Sequence, residues 1–372
     1  MYDARSLVVK HIAAKCCVRR IGSLVLLPLL VVQLHAQWIP TSSPQSFTAT
    51  VLATADSNLY AGHSRGMLTS SDRGRAWMAS KKGLPEGRVT ALAVRSVPGG
   101  TMLFAGTQLD GVYLSIDNGV TWNPVDQTPV VETERHAAVV GAKAYYGGPT
   151  VFALVTSGKY LIAGMNFGGI YRSTNGGGSW SVANEGLTSS APMGPPTITA
   201  LATSGDYLFA GTTGDGIFLS TNNGRQWTSV SNGLPANGRS VYVPVNALAS
   251  SPKGKKNDGE NVFAAMEGTG IYRTTDDGRR WEPVNYGLRN PSVYSLAVSV
   301  GPAGGCVFAG TGDGVYVTTT NGSVWKNVTT GMPQVKVYAL AIASDTLYAA
   351  VARNGVWKRA IPPMITDASR KP

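Results

Sequence analysis

The chain reads as an all-β protein, a seven-bladed β-propeller of four-stranded blades, its ring closed by the N-terminal strand joining the C-terminal blade. Three features lead there: a hairpin pattern that occurs seven times, a Trp-ending motif that follows six of the hairpins, and a Trp spacing that leaves the last unit one strand short. Sequence self-similarity with a period of roughly 20–50 residues marks solenoids and propellers.

The hairpin pattern is a short apolar run ending in Ala or Ala-Gly, a turn, then Gly-apolar-aromatic. It occupies residues 59–67, 103–113, 161–171, 208–218, 262–272, 307–316 and 347–357. Each copy is two strands and a tight turn, and Asp-Gly or Asn-Gly accepts the positive φ that such turns demand.

Six copies run on into Ser/Thr-x-Asp/Asn-x-Gly-x-x-Trp, with Asp72 and Trp77, Asp117 and Trp122, Asn175 and Trp180, Asn222 and Trp227, Asp276 and Trp281, and Thr320 and Trp325 at its two marked positions. A carboxylate or amide there can accept backbone N–H groups of its own turn, the Gly supplies φ > 0, and the Trp fills the apolar gap beyond the hairpin. Asn175, Asn222 and Thr320 replace the acid. They can accept the same hydrogen bonds but cannot act as a general acid or a strong metal ligand, so the motif is structural.

An apolar stretch precedes each hairpin, at residues 89–94, 151–155, 198–202, 245–249, 293–298 and 337–342, with 47–52 as a weaker first copy. Near-continuous apolarity with small Ala between larger residues suits an innermost strand packed on both faces. A fourth strand is expected to start at each motif Trp. The unit from Lys336 has no such Trp, and Trp38 supplies it from the other end of the chain, 39 residues before Trp77. The following Trp spacings are 45, 58, 47, 54 and 44, a blade plus variable loops. Trp357 then stands in place of a third-strand Tyr.

Residues 1–36 differ from the rest. Lys15, Arg19 and Arg20 precede an apolar run from Ile21 to Val32, and Leu34, His35 and Ala36 end it. This is the order of a secretory signal peptide, and Pro28 interrupts a run too short for the ~20 residues a membrane span needs. The expected organisation is a signal peptide at 1–36, the propeller at 37–361 and a C-terminal tail at 362–372, in a secreted or periplasmic protein. Membrane contact would come only through an uncleaved leader, and a monomer is expected. Loss of the leader lowers the formal charge from +11 to +7 and leaves Cys306 as the only cysteine. Beside Val307 and Phe308 it reads as a buried packing thiol. Three Cys and four His, scattered, make neither a disulfide framework nor a zinc spacing, so no metal and no cofactor is expected. Lys253, Lys255 and Lys256 form a small basic loop without interleaved aromatics, which gives no reason to expect nucleic acid.

Strand direction places the turns between second and third strands on one face with the blade-joining loops, opposite the Trp-ending motifs. Loops on a rigid scaffold are where binding residues concentrate. The candidates for ligand or partner binding are therefore His63 and Arg65 with Ser64, Gln108 and Asp110, Asn166 and Phe167, Asp215, Glu267, Asp313, and Arg353 with Asn354. Asp110, Asp215 and Asp313 precede a turn Gly and read first as turn residues, with ligand binding as the alternative. The longest joining loop, 126–148, adds Glu132, Glu134, Arg135, His136, Tyr145 and Tyr146. Gly62, Ser64 and Gly66 match the spacing of a nucleophile elbow, but that motif needs a strand-to-helix turn and here lies in a hairpin. No catalytic residue is assigned.

The motif resembles the Asp-box, or bacterial neuraminidase, repeat of sialidase-like propellers. Three kinds of relative imply different functions. True sialidases imply six blades, an arginine triad, a Tyr nucleophile and an Arg-Ile-Pro motif, where this chain has Trp38 before Ile39 and Pro40. Xyloglucanase-type glycoside hydrolases are similar in blade text, as at Gly169 to Ser173, and in Gly-Leu-Pro at Gly83 to Pro85 and Gly233 to Pro235, and they imply a cleft between two propellers. The photosystem II stability/assembly factor-like group implies an exported, single, seven-bladed, non-enzymatic propeller that binds protein. The blade count, length and leader fit this third group best. The expectation is an exported non-catalytic scaffold for a protein partner or other ligand such as a polysaccharide; the alternative is a sialidase- or xyloglucanase-like glycoside hydrolase.

Overall fold

The structure, a computed structural model, describes residues 37–80, 82–125, 150–190, 194–237, 241–252, 260–301 and 304–361. These form seven four-stranded antiparallel sheets, arranged as the blades of a seven-bladed propeller. The inner strands are Ala49–Ala55, Val89–Val97, Val151–Ser157, Ile198–Ser204, Val245–Pro252, Val293–Gly301 and Val337–Ala343, in blades 1 to 7. Each packs on the inner strands of both neighbouring blades, and the first closes on the last.

Closure runs as the Trp spacing implies. Ile39 and Pro40 pair with Lys358 and Trp357 as the outer strand of blade 7. Trp38 is buried, and its Nε1–H donates to the Val328 carbonyl of blade 6 at 2.7 Å. Trp227, Trp281 and Trp325 donate likewise to Ala183, Val230 and Val284 of the preceding blade, at 3.0, 2.6 and 2.6 Å. The Trp therefore wedges two blades together. It lies one residue before the outer strand, which starts at Met78 in blade 1 and Asn123 in blade 2, so the expectation that the strand starts at the Trp is corrected by one residue. Trp357 pairs with Ala349, as Tyr272 pairs with Ala264.

The hydrophobic core is distributed between blades. One cluster joins Cys306, Phe308 and Val315 of blade 6 to Val337, Leu347, Val351 and Trp38 of blade 7. Burial pushes the Cys306 thiol up, which keeps it in its unreactive protonated form.

Within each Trp-ending motif the Ser or Thr hydroxyl is the hub. Ser70 Oγ–H donates to Asp72 (2.8 Å) and accepts the Gly74 N–H (2.8 Å), while Asp72 accepts the N–H groups of Arg75 and Ala76 at 2.9 Å. Asn175 accepts the Ser179 N–H at 2.9 Å, Asn222 the Gln226 N–H at 3.0 Å, and Thr320 the Val324 N–H at 3.1 Å. Amide and hydroxyl thus do what the carboxylate does. Two consecutive residues take positive φ rather than the Gly alone: Arg73, Asn118, Gly176, Asn223, Asp277 and Asn321 precede it with φ of 50° to 70°. Asn, Asp and Gly tolerate that conformation, and Arg73 is the exception.

Every inner strand enters its sheet through a bulge, at Thr50, Thr90, Phe152, Thr199, Asn246, Tyr294 and Tyr338. A bulge places one extra residue out of the ladder and re-aims its side chain. Thr90, Thr199 and Asn246 use theirs to donate to the first-strand carbonyls of the next blade, Val151, Val245 and Val293.

Candidate functional site

The strand register fixes the face. The first residue of each inner strand pairs with the end of the second strand, as Ala49 with His63, Val151 with Met165 and Val337 with Val351. Turns between strands 2 and 3 therefore leave at the end where the blade-joining loops arrive. The twelve candidate positions of these turns share this rim, spread around the ring rather than gathered in one pocket.

Gln108, Asp110, Phe167, Glu267, Arg65 and Arg353 are exposed, and His63, Asn166, Asp215 and Asp313 are half-buried. Their backbones are tied to the neighbouring blade entrance. Gln108 N–H donates to Arg88 O (3.0 Å), Asn166 to Thr150 O (3.0 Å), Glu267 to Pro244 O (2.9 Å), and Arg353 to the Thr48 hydroxyl (2.9 Å). The His63 ring stands edge-on to Phe47 at 4.7 Å and its Nδ1 accepts the Arg65 N–H at 3.2 Å.

The three turn aspartates share a device that the sequence reading missed. Thr107, Thr212 and Thr311 each accept the following Asp N–H, from Asp110, Asp215 and Asp313, and donate to the turn Gly carbonyl at 2.9 Å. Asp313 also accepts the Thr311 hydroxyl (2.7 Å) and the Tyr316 hydroxyl (3.1 Å), and Asp215 accepts the Ser190 N–H (2.5 Å). The signal was a Thr two or three residues ahead of the Asp of each Asp-Gly turn. The Asp does not itself take positive φ; only Gly111, Gly216 and Gly314 do. In blades 3 and 7 it is Phe167 and Arg353, at φ 52° and 55°, that adopt it with the later Gly, so Asn354 is not the left-handed residue of its turn.

The carboxylates with displaced acidity lie in the opposite motifs. Asp72 is held below the ordinary carboxylate range by the Ala76 N–H and the Ser70 hydroxyl. Burial pushes Asp117 and Asp276 up, but hydrogen bonds from Thr121 and Ser115, and from Thr274 and Arg280, outweigh it, and Asp117 falls to about 2. A carboxylate stabilised as its anion accepts hydrogen bonds well and donates protons poorly at neutral pH.

Two places on the rim break the repeat. The first is the mouth of the axis. Tyr294 and Tyr338, neighbouring bulge residues, stand with ring centroids 6.2 Å apart, and Lys336 Nζ lies 3.7 and 4.6 Å from those centroids. Phe152 takes the bulge position in blade 3, on the other side of the ring.

The second is blade 1. In blades 3 to 7 a polar side chain folds back over the Gly that opens the third strand. Asn184, Ser231, Asn285, Thr329 and Ser43 accept the N–H of Ile170, Ile217, Ile271, Val315 and Val356, at 2.7 to 3.0 Å. A Cβ on Gly169, Gly216, Gly270, Gly314 or Gly355 would overlap that side chain. In blade 1 the outer strand continues instead to a third pair, Met67 with Ser80, and a Cβ on Gly66 would meet nothing within 4 Å. A cleft of about 430 Å³ results, lined by Ser64, Arg65, Gly66, Ser80, Leu84, Pro85 and Glu86. Arg65 and Ser64 were legible as turn residues; Glu86 was not, because it follows the Gly-Leu-Pro segment and carries no repeat signal.

The leader 1–36, the loop residues Glu132, Glu134, Arg135, His136, Tyr145 and Tyr146, the basic Lys253, Lys255 and Lys256, and the tail 362–372 lie outside the described residues. Among the described residues no helix is long and apolar enough to cross a membrane, and no three His, Cys, Asp or Glu side chains are grouped as a metal site would need.

No family model and no curated protein matches the sequence. Solved structures do. The chain is similar to "YCF48 bound to D1 peptide" at 15% identity and a TM-score of 0.57, over 91% of this chain and 97% of that one. YCF48 from Cyanidioschyzon merolae matches at 14% identity and a TM-score of 0.59, over 89% and 100%. The GH74 xyloglucanase from Xanthomonas campestris matches at 18% identity and a TM-score of 0.57, over 82% of this chain but 51% of that one, so this chain spans about half of the enzyme's length. At such identities the likeness is one of fold: a seven-bladed propeller whose structural neighbours include YCF48 and GH74 xyloglucanases.

Proposed function

We propose that the chain is an exported, non-catalytic propeller that serves as a binding scaffold for a protein partner. The observation that carries this reading is the rim. Repeated hydrogen bonds hold its turns rigidly while the side chains they display do not repeat: Arg65, Leu109, Phe167, Glu267 and Arg353 are exposed, cationic, apolar and acidic in turn. A rigid backbone with varied exposed side chains is the arrangement that suits recognition of another surface. The Asp-Gly turns that a hydrolase would draw on for carboxylates stand in alternate blades, tied to their own Thr hydroxyls.

Two further facts support it. A neighbour of nearly the same length was solved with a peptide bound. The xyloglucanase neighbour is longer, and this chain covers only 51% of it. Export follows from the leader at 1–36, with cleavage after Ala36 leaving Gln37 as the mature N-terminus. No cofactor is part of this reading.

The test is a pull-down from the exported fraction with the tagged full chain and a rim variant carrying Arg65→Asp, Phe167→Asp and Arg353→Asp. The expected result is a bait whose N-terminus is Gln37 and whose captured protein is lost from the variant but kept by an Arg279→Asp, Arg280→Asp variant of the opposite face. Release of reducing sugar from xyloglucan or sialyllactose by the purified chain would overturn the non-catalytic reading.

A further inference from the structure

Blade 1 differs from blades 3 to 7 by a substitution of one closing device for another. Five blades cover the Gly at the start of their third strand with a polar side chain, and that side chain fills the space above it. Blade 1 satisfies the same backbone position by extending the ladder to Met67 and Ser80, and among the described residues no side chain covers its Gly66. Its floor is Gly66 and the buried Leu84 and Ser80, and the Ser80 hydroxyl is already engaged by the Trp122 Nε1–H at 2.8 Å.

The walls of this space carry opposite charges. Arg65 stands on the turn side and Glu86 on the joining-loop side, both exposed and both lining the same cleft. Among the described residues no ion pair joins them to each other or to a third group, although Arg–carboxylate pairs form readily when the two groups can meet. Pro85 and Leu84 give the cleft an apolar side, and Ser64 leaves a hydroxyl at its edge. At about 430 Å³ the cleft falls within the ~300–1,000 Å³ of small-ligand sites.

We propose that this cleft binds a compact zwitterion, an amino acid or dipeptide, with its carboxylate on the Arg65 guanidinium, its ammonium on the Glu86 carboxylate and its short body against Leu84 and Pro85. A single charged terminus or a neutral polyol would satisfy one wall only. The site is independent of the scaffold reading, because it takes a free small molecule and is measured on the purified chain without any partner.

The probe is glycylglycine, titrated into the full chain and followed by calorimetry and by the backbone amide shifts of Gly66 and Leu84. Saturable binding is expected, weakened about tenfold or more by Arg65→Ala, by Glu86→Ala, and by capping both ends of the probe as its N-acetyl amide. The double variant Arg65→Glu, Glu86→Arg inverts the walls and should bind to within about threefold of the parent, which a merely structural role for either residue does not predict. Both substituted positions are exposed side chains, and unchanged circular dichroism confirms the fold of each variant. Equal binding of the capped probe, unchanged binding in the single variants, or no saturable response up to about 20 mM probe, well above a millimolar dissociation constant, overturns the proposal.

Discussion

At the scale of single residues, the acid of the Trp-ending motif shows how geometry removes a reactive role. Asp117 accepts the Thr121 N–H and hydroxyl and the Ser115 hydroxyl. Those donors favour the anion and hold its pKa at about 2, against ~3.9 for a free Asp. Because the folded pKa lies below the unfolded one, the unfolded chain binds the proton more tightly, and the stabilisation is complete above about pH 4 and is lost as the pH falls toward 2. Urea midpoints between pH 6 and about pH 2 should therefore fall less in Asp117→Asn than in the parent. The same drop in both would show that the hydrogen bonds do not distinguish the anion from the amide. This role was legible in the sequence because Asn and Thr replace the acid in three copies. The αL residue ahead of the motif Gly was not, since Arg73 hides a position that Asn, Asp or Gly fills elsewhere.

At the scale of the blade, the polar side chain over the third-strand Gly is a small closing element with a measurable cost. Asn285 Oδ1 accepts the Ile271 N–H at 2.7 Å, and its Nδ2–H donates to the Thr269 carbonyl at 3.2 Å. Asn285→Ala leaves a largely buried amide unpaired, for which a loss of about 1–3 kcal/mol is expected in urea unfolding. Faster hydrogen exchange at Ile271 than at Ile217, which keeps its Ser231 cap, would locate the loss at that amide. The hairpins, inner strands and motif turns were readable because each repeats. The closing side chain was not, because Asn, Ser and Thr share the role and one position shifts by a residue, from the fourth after the Trp to Ser43, the fifth after Trp38.

At the scale of the whole molecule, the ring depends on a strand contributed from the far end of the chain. Trp38 is 2% exposed, as Trp281 is, and each donates its indole N–H to the preceding blade. If closure makes blade 7 equivalent to the others, Trp38→Ala should cost about 3–5 kcal/mol, the range for a buried large aromatic, and should match Trp281→Ala in thermal or urea unfolding. A loss confined to a few tenths would mean that the N-terminal strand frays without the ring noticing. The sequence by itself determined the seven blades, their four strands, the Trp wedge and the closure, because these follow from local patterns that recur at every turn of the ring. Only the tertiary structure decided which rim residues are anchors and which are free, that Arg65 and Glu86 flank one open cleft, and that Tyr294, Tyr338 and Lys336 meet at the axis. Those facts depend on side chains from separate turns and loops, some of them in different blades, arriving at the same place, and the distance along the chain carries no record of that meeting.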